Sequence, residues 1–407
     1  MRIVQVCYGW TPRKTARNGG ELRYWQDLAS LVALGHEVHL VVCQAISGTE
    51  ALEPDVERLP ATITYVRAPD KAMTRLDAWR ALLPGEASLR LHLRYPGQLR
   101  PLVADIVRRL QPDMVWANWL ATMALLPAGL PTVYAHQDFL YKVLTVRAAT
   151  QLRRDHWRDR WRTRWLRRAE LALCAAADHV VCVSDSERAQ LATIGRRCTY
   201  IPIVGPTIAG SSAPTANGPR VFFFGTWAST AMRSGARHFR EVVWPTFGKR
   251  EPPVEWHQVG TPEPQESADW RWVEQRFVCH GFVDDLGGVF RIGDACLVPY
   301  TEDTGFRTKF VTAAAHGLVN IGYDTAFRCA PEFTPGMDCL VATTPAELVA
   351  MLHEYANDRG LRRRLGAASR ALYEAAFSFE AQLPKYERAL LGAVATGATA
   401  VGKWLHL

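Results

Sequence analysis

The chain opens on an unbroken apolar run, RIVQVCYG at 2–9, with the length and character of a strand buried on both faces. A polar loop containing Gly19 and Gly20 follows, and ELRYWQDLASLVALG then places Leu22, Trp25, Leu28, Leu31 and Leu34 at near-helical spacing. Gly35 ends that helix, and HEVHLVVC reads as a second strand. TITYVRA, DMVWANW, PTVYAH and HVVCVS are further strands, with helical stretches between most of them. Residues 205–219, rich in Gly, Pro, Ser, Thr and Ala, read as a linker. The pattern then restarts, with RVFFFG, VEWHQVG, RFVCHGF, DACLVPY, LVNIGYD and DCLVAT as strands and SGARHFREVVWPTF and TKFVTAAAHG as helices. Residues 344–393 are mostly helical in pattern.

Continuous apolar strands separated by helices predict parallel sheets covered on both faces. The expected architecture is α/β: two Rossmann-like doubly wound domains, 1–204 and 220–377, joined by the linker 205–219, with a C-terminal helix in 378–407 returning towards the N-terminal domain. Ligands in such folds sit outside the carboxyl ends of the strands, so an interdomain cleft is the expected site. Dehydrogenases, epimerases, binding proteins and transferases all share this architecture.

Composition narrows the field a little. Of 407 residues, 48% are hydrophobic and 22% charged, as in a soluble globular protein. The net charge of +8 and pI of about 9.1 favour anionic partners: phosphates, nucleic acid or an acidic membrane surface. Nine cysteines include no CxxC pair, and Cys7, Cys43, Cys182, Cys279 and Cys296 lie in apolar runs, so buried thiols in a reducing cytosol are expected. The chain enters a strand at once, which reads as no secretory leader, and no apolar run approaches the ~20 residues of a membrane span. The expected location is cytoplasmic, with any membrane role peripheral at the inner face.

The order of motifs is more specific. The strand, Gly19–Gly20 loop, helix and LGHEVHLV at the start, then ADHVVCVSDSERAQL before the linker, resemble glycosyltransferase family 4. RVFFFGTW, GARHFREVVWP, VEWHQVG, VCHGFVDDLGGVFRIGDACLVPY, GFRTKFVTAAAHGLVNIGYD and FSFEA resemble the second half of the group 1 sugar transferases in order and spacing. The resemblance implies a GT-B fold, a nucleotide-sugar donor bound mainly by the C-terminal half, an acceptor bound by the N-terminal half, and transfer with retention in surface polysaccharide or glycoconjugate biosynthesis. The chain departs from the pattern at four places. Relatives carry donor-contacting glutamates where this chain has Thr304 and Thr312, and an Arg and a Lys for the diphosphate where it has Thr226 and Ser234, with Arg233 adjacent.

Transfer from such a donor requires the negative charge growing on the leaving diphosphate to be neutralised. No DxD triplet occurs, so no metal and no cofactor are expected. Arg307 and Lys309, opening a helix after DACLVPY, are the candidates; solvated first-turn charges are the plain alternative. Gly19 and Gly20 suit close approach of backbone to ligand, or form a simple turn, and Gly225 in RVFFFGTW joins the donor-binding set by resemblance. His136 ends the strand PTVYAH and is expected to contact the donor sugar or diphosphate, or else to cap the next helix; Asp138 is a second capping candidate. By resemblance Phe282 and Val283 lie beside the nucleobase, with core packing as the alternative. Glu302 and Asp303, before Gly305, are candidate acceptors for sugar hydroxyls or solvated loop charges.

Segment 151–171 is the most unusual in composition. Trp157, Trp161 and Trp165 recur every four residues among Arg153, Arg154, Arg158, Arg160, Arg162, Arg164, Arg167 and Arg168. That combination suits an anionic membrane surface or single-stranded nucleic acid, and equally a core-facing tryptophan stripe with a solvated basic face. The function expected is transfer of a sugar to a glycan or lipid-linked acceptor. A nucleic-acid-modifying transferase, a nucleotide-sugar epimerase and a non-catalytic partner subunit are the alternatives.

Overall fold

The computed structural model describes residues 1–15, 18–44, 53–68, 93, 97–150, 156–195, 197–206, 218–227, 229–262 and 267–397. The chain divides into two compact units. The first comprises Met1–Ile203, Thr304–Phe306 and Gln382–Leu407, and the second Val204–Asp303 and Arg307–Ala381. The division falls at 203/204, and 207–217 of the expected linker lie outside the described residues.

The first unit runs β1 (Arg2–Tyr8), α1 (Gly19–Ala33), β2 (Glu37–Cys43), α2 (Pro54–Glu57), β3 (Ala61–Val66), α3 (Leu99–Leu110), β4 (Met114–Asn118), α4 (Leu120–Met123), β5 (Thr132–His136), α5 (Leu140–Thr150), α6 (His156–Ala176), β6 (His179–Cys182), α7 (Asp185–Ala192) and β7 (Cys198–Tyr200). All strands are parallel, in the order β3-β2-β1-β4-β5-β6-β7. Alternate residues feed opposite faces, as the strand period demands. Val4 and Val6 of β1 join one cluster with Val115 and Ala117 of β4. Ile3, Cys7, Met114 and Trp116 join another. Helix α1 begins where the Asn18 side chain accepts the Glu21 N–H at 3.0 Å. Its buried stripe includes Tyr24, Leu28 and Leu31. Strand β7, which the hydrophobic pattern does not announce, has three half-buried residues at the sheet edge.

The second unit runs β8 (Arg220–Phe224), α8 (Thr230–His238), a π-helical turn (Phe239–Val243), α9 (Trp244–Thr246), β9 (Glu255–Val259), α10 (Ala268–Glu274), β10 (Val278–Cys279), β11 (Ala295–Val298), α11 (Thr308–Ala315), β12 (Val319–Tyr323), α12 (Asp324–Phe327), β13 (Cys339–Ala342), α13 (Pro345–Asn357) and α14 (Arg359–Leu372). Its strands are also parallel, in the order β10-β9-β8-β11-β12-β13. Val221, Phe223, Leu297 and Ile321 pack with Phe239, Leu352 and Leu365 beneath the helices. The expected strand RFVCHGF shrinks to the two residues of β10 at the edge, which leaves Cys279 exposed rather than buried. The last helix, α15 (Phe379–Gly397), sends Tyr386, Ala389, Leu390 and Ala393 into the first unit's core.

A buried polar network fastens that helix. Arg23 and Asp27, both 0% exposed, form an ion pair at 2.9 Å. Asp27 also accepts from Asn118 Nδ2 at 2.5 Å and from the Tyr386 hydroxyl, while Arg23 donates to the Ile201 carbonyl at 2.8 Å. The two buried charges pair with each other and with neutral partners, although Arg23 Nη2 is buried with no hydrogen-bond partner.

Candidate active site

In the second unit the strand ends carry glycine where backbones converge. Gly225 follows β8 and Gly260 follows β9, at φ +134° and +130°. A Cβ on Gly260 would lie 2.2 Å from the Gly225 carbonyl oxygen, so a side chain there must part the two strand ends. A Cβ on Gly225 would lie 3.1 Å from Lys309 Nζ, which sets that ammonium group against bare backbone. Lys309 stands in the first turn of α11, half-buried. Its Nζ meets the Tyr300 hydroxyl, lies 3.6 Å from Met232 Sδ and 4.7 Å from the centre of the Tyr300 ring. Among the described residues it pairs with no carboxylate. A cation at a helix N-terminus opposes the helix dipole, so an anion is what that position lacks.

Arg307 differs from its neighbour. It is 8% exposed, donates to the Glu302 carbonyl at 2.6 Å and lies over the Tyr300 ring at 5.1 Å. The alternative reading of a solvated first-turn charge fails for it, because the guanidinium is buried against its own loop. Glu302 accepts from the Ser234 hydroxyl at 2.5 Å through Oε1, and its Oε2 is buried with no hydrogen-bond partner. Beside it His238 Nε2 lies 3.0 Å from the Tyr323 hydroxyl. Burial holds the His238 imidazole below its ordinary value, and the Glu302 charge offsets part of that. Thr226 and Thr261 join their hydroxyls at 2.9 Å. Arg233, Val283, Asp303 and Thr312 are half-buried. Phe282 is 62% exposed directly after Gly281, which excludes core packing for its ring.

In the first unit Gly19 and Gly20 form the first turn of α1. His136, ending β5, is 0% exposed: Nδ1 lies 3.3 Å from the Tyr134 hydroxyl and Nε2 3.1 Å from Glu187 Oε2. It neither reaches the surface nor caps α5. Glu170 of α6 accepts from the Leu140 and Tyr141 N–H groups at the start of α5, at 2.8 and 3.2 Å. Burial pushes the Glu170 carboxyl up to about 7, against the pull of His136 and those two N–H groups. Glu187 also lies 3.7 Å from Lys142 Nζ and accepts the Gly305 N–H at 3.1 Å. Burial would raise its carboxyl, but the His136 hydrogen bond and charge, with Lys142 and Gly305, bring it below the ordinary value. Gly305 sits at φ +55° with Asp138 so close that a Cβ would overlap the carboxylate, and Thr304 beside it is half-buried.

Among the described residues one group has metal-ligand spacing: His136, Cys182 and Glu187, their ligand atoms within 4.8 Å of one another. Burial, with Cys198 and Glu187 adding to it, raises the Cys182 thiol well above its ordinary value, so the sulfur keeps its proton. The Glu187 oxygens are already taken, and the arrangement fits a buried hydrogen-bonded pair better than a metal centre.

Of the basic segment, 151–155 and the side chains of 156–162 lie outside the described residues, Trp157 and Trp161 included. Trp165 is half-buried, and Arg164, Arg167 and Arg168 are exposed on α6. Sequence reasoning did not single out Glu170, Glu187 or Tyr300, and it named Ser234 only as a departure from the family pattern, not as the partner of Glu302. No local pattern marks them, since their partners lie 9 to 68 positions away along the chain.

Residues 18–203 match the family described as Glycosyltransferase Family 4, and residues 218–358 match Glycosyl transferases group 1. Sucrose-phosphate synthase from Thermosynechococcus elongatus is similar in structure at a TM-score of 0.66, with 15% identity over 96% of this chain and 99% of that one. HepE of Anabaena, in complex with UDP-glucose, is similar at 0.61, with 15% identity over 95% and 99%. The lipopolysaccharide outer core galactosyltransferase WaaB is similar at 0.59, with 11% identity over 96% and 99%. No curated protein matches the chain in sequence. With its first half matched to Glycosyltransferase Family 4, its second to Glycosyl transferases group 1, and two parallel-sheet units of the shared fold, the chain is a GT-B glycosyltransferase.

Proposed function

We propose that the enzyme moves a sugar from a nucleoside-diphosphate sugar to a glycan or lipid-linked acceptor, with retention, in the building of surface polysaccharide or glycoconjugate. The observation that carries the donor side is the Lys309 ammonium group, set against Gly225 at the start of α11. The backbone N–H groups of that first turn and the Lys309 charge together suit the diphosphate, whose negative charge grows as the sugar leaves. The exposed ring of Phe282 suits one face of the base, and the buried Glu302 Oε2 suits a hydroxyl of the sugar. HepE, with UDP and with UDP-glucose bound, supports uridine diphosphate as the first ligand to try.

Titration with UDP, followed by a panel of UDP-sugars with hydrolysis as readout, tests the donor. Absence of both UDP binding and sugar release would overturn the reading. The anomeric configuration of the released or transferred sugar, read by NMR, decides retention. On the acceptor side, exposed Arg164, Arg167 and Arg168 support a peripheral approach to anionic lipid, each such charge contributing about 1 kcal/mol near the surface. Co-sedimentation with anionic vesicles, lost at high salt and in Arg164→Glu with Arg168→Glu, is the expected result; indifference of the wild type to those vesicles would remove the membrane from the proposal.

A further inference from the structure

The strand order of the first unit reverses between β1 and β4, and in open parallel sheets that is where ligands enter. Two tryptophans stand there. Trp10 follows β1 and Trp119 follows β4 directly; both are half-buried, and their rings meet edge to face with centres 6.1 Å apart. Trp119 holds φ at +76°, a backbone conformation that a bulky side chain rarely adopts. The surroundings impose it. The Trp119 carbonyl accepts from the Thr122 N–H at 3.1 Å and the Thr122 hydroxyl at 2.8 Å, and the preceding Asn118 is locked to Asp27 at 2.5 Å. Just past β5, Gln137 is 9% exposed and its Nε2 has no hydrogen-bond partner. A Cβ on Gly20 would lie 3.4 Å from Gln137 Oε1 and 3.5 Å from Trp10, so the amide and the indole border the same spot.

A nearly buried N–H group without an acceptor is costly, and it is expected where a ligand supplies one. The Trp10 indole borders the same amide, and Trp119, held at the expense of backbone strain, meets Trp10 edge to face. Flat apolar faces with one convergent polar group match a pyranose ring, whose axial C–H bonds face an indole while its rim of hydroxyls accepts hydrogen bonds. We propose that Trp10, Trp119 and Gln137 bind a pyranose unit of the acceptor. This rests on the reading of the enzyme as a transferase whose first half takes the acceptor.

Saturation-transfer NMR with methyl α-glucoside, methyl α-galactoside and methyl α-mannoside tests it, with UDP titration run alongside. At least one glycoside is expected to bind with saturation concentrated on the protons of one ring face. Trp10→Ala and Trp119→Gly should each weaken it at least tenfold, and Gln137→Ala several-fold, with UDP affinity unchanged. Trp119→Gly relieves the strain at φ +76° but forfeits the ring's packing against both core clusters of the unit, so a thermal melt and circular dichroism first establish that the variant is folded. Loss of binding in a fully folded Trp119→Gly variant is therefore due to the missing ring. A wild type that binds UDP but no glycoside, or tryptophan variants that bind glycosides as the wild type does, would overturn the proposal. A wild type that takes glycosides but not UDP would instead count against the donor reading and support this one.

Discussion

Replacing Lys309 with alanine separates the two cations at the start of α11. Lys309 Nζ lies against Gly225 and Tyr300 with no carboxylate partner among the described residues, so its charge remains for a ligand. A charge-assisted hydrogen bond to phosphate contributes about 1.5–3 kcal/mol, and its loss should raise the Kd for UDP by about 10- to 150-fold. The fold should change little, since the contacts forfeited are a phenol, the Met232 sulfur and two cation–π approaches, to Tyr300 and Phe224, at a half-buried site, together about 1–2 kcal/mol. Arg307→Ala should behave in the opposite sense. It breaks the 2.6 Å bond to the Glu302 carbonyl and the packing on Tyr300, so it should lower stability by about 1–3 kcal/mol and weaken UDP binding mainly through the disturbed loop. Isothermal titration with UDP and thermal melts on both variants give the four numbers needed. An unchanged Kd in Lys309→Ala would refute the assignment and move the phosphate site to Arg233.

Gly260→Ala places a methyl group 2.2 Å from the Gly225 carbonyl oxygen at φ +130°; it should lose UDP affinity and several kcal/mol of stability, whereas a wild-type melt would mean the strand ends part freely. Tyr386→Phe removes one of the hydrogen bonds to the buried Asp27 carboxylate and should cost about 1–3 kcal/mol in a thermal melt; no change would mean Arg23 and Asn118 alone satisfy that charge. Glu170, held up at about 7 by burial against an unfolded value of 4.5, contributes stability that is whole below 4.5 and is lost as pH rises through about 7, about 3 kcal/mol in all. Glu170→Gln should flatten that fall, and parallel stability profiles of variant and wild type across pH 4.5–7 would contradict it. Sugar release from the donor should continue in excess chelator, and an absolute need for magnesium or manganese would mean the diphosphate is neutralised by a metal.

The hydrophobic pattern alone determined the two parallel sheets, because continuous apolar strands such as RIVQVCY and ACLVPY have no other way to bury both faces. It also placed Lys309 at a helix start, which is a local feature, while Gly225 was proposed by family resemblance. It could not distinguish Lys309 from Arg307: both open the same helix and both lie over Tyr300, and only the fold shows Arg307 buried and donating to the Glu302 carbonyl. It placed His136 at a strand end but not in the core, because the partner that holds it, Glu187, comes from a helix 51 positions later. For Phe282 the sequence left nucleobase contact and core packing both open, and β10, closing after two residues, leaves the ring exposed and removes core packing. Trp119 reads as one more apolar residue at the end of a strand, and nothing in its neighbours announces its positive φ or the nearness of Trp10. Periodicity records which residues are hidden from water. Which hidden or half-hidden groups meet one another is decided by strand order, and the order β3-β2-β1-β4 is a property of the folded sheet that no local stretch of chain contains.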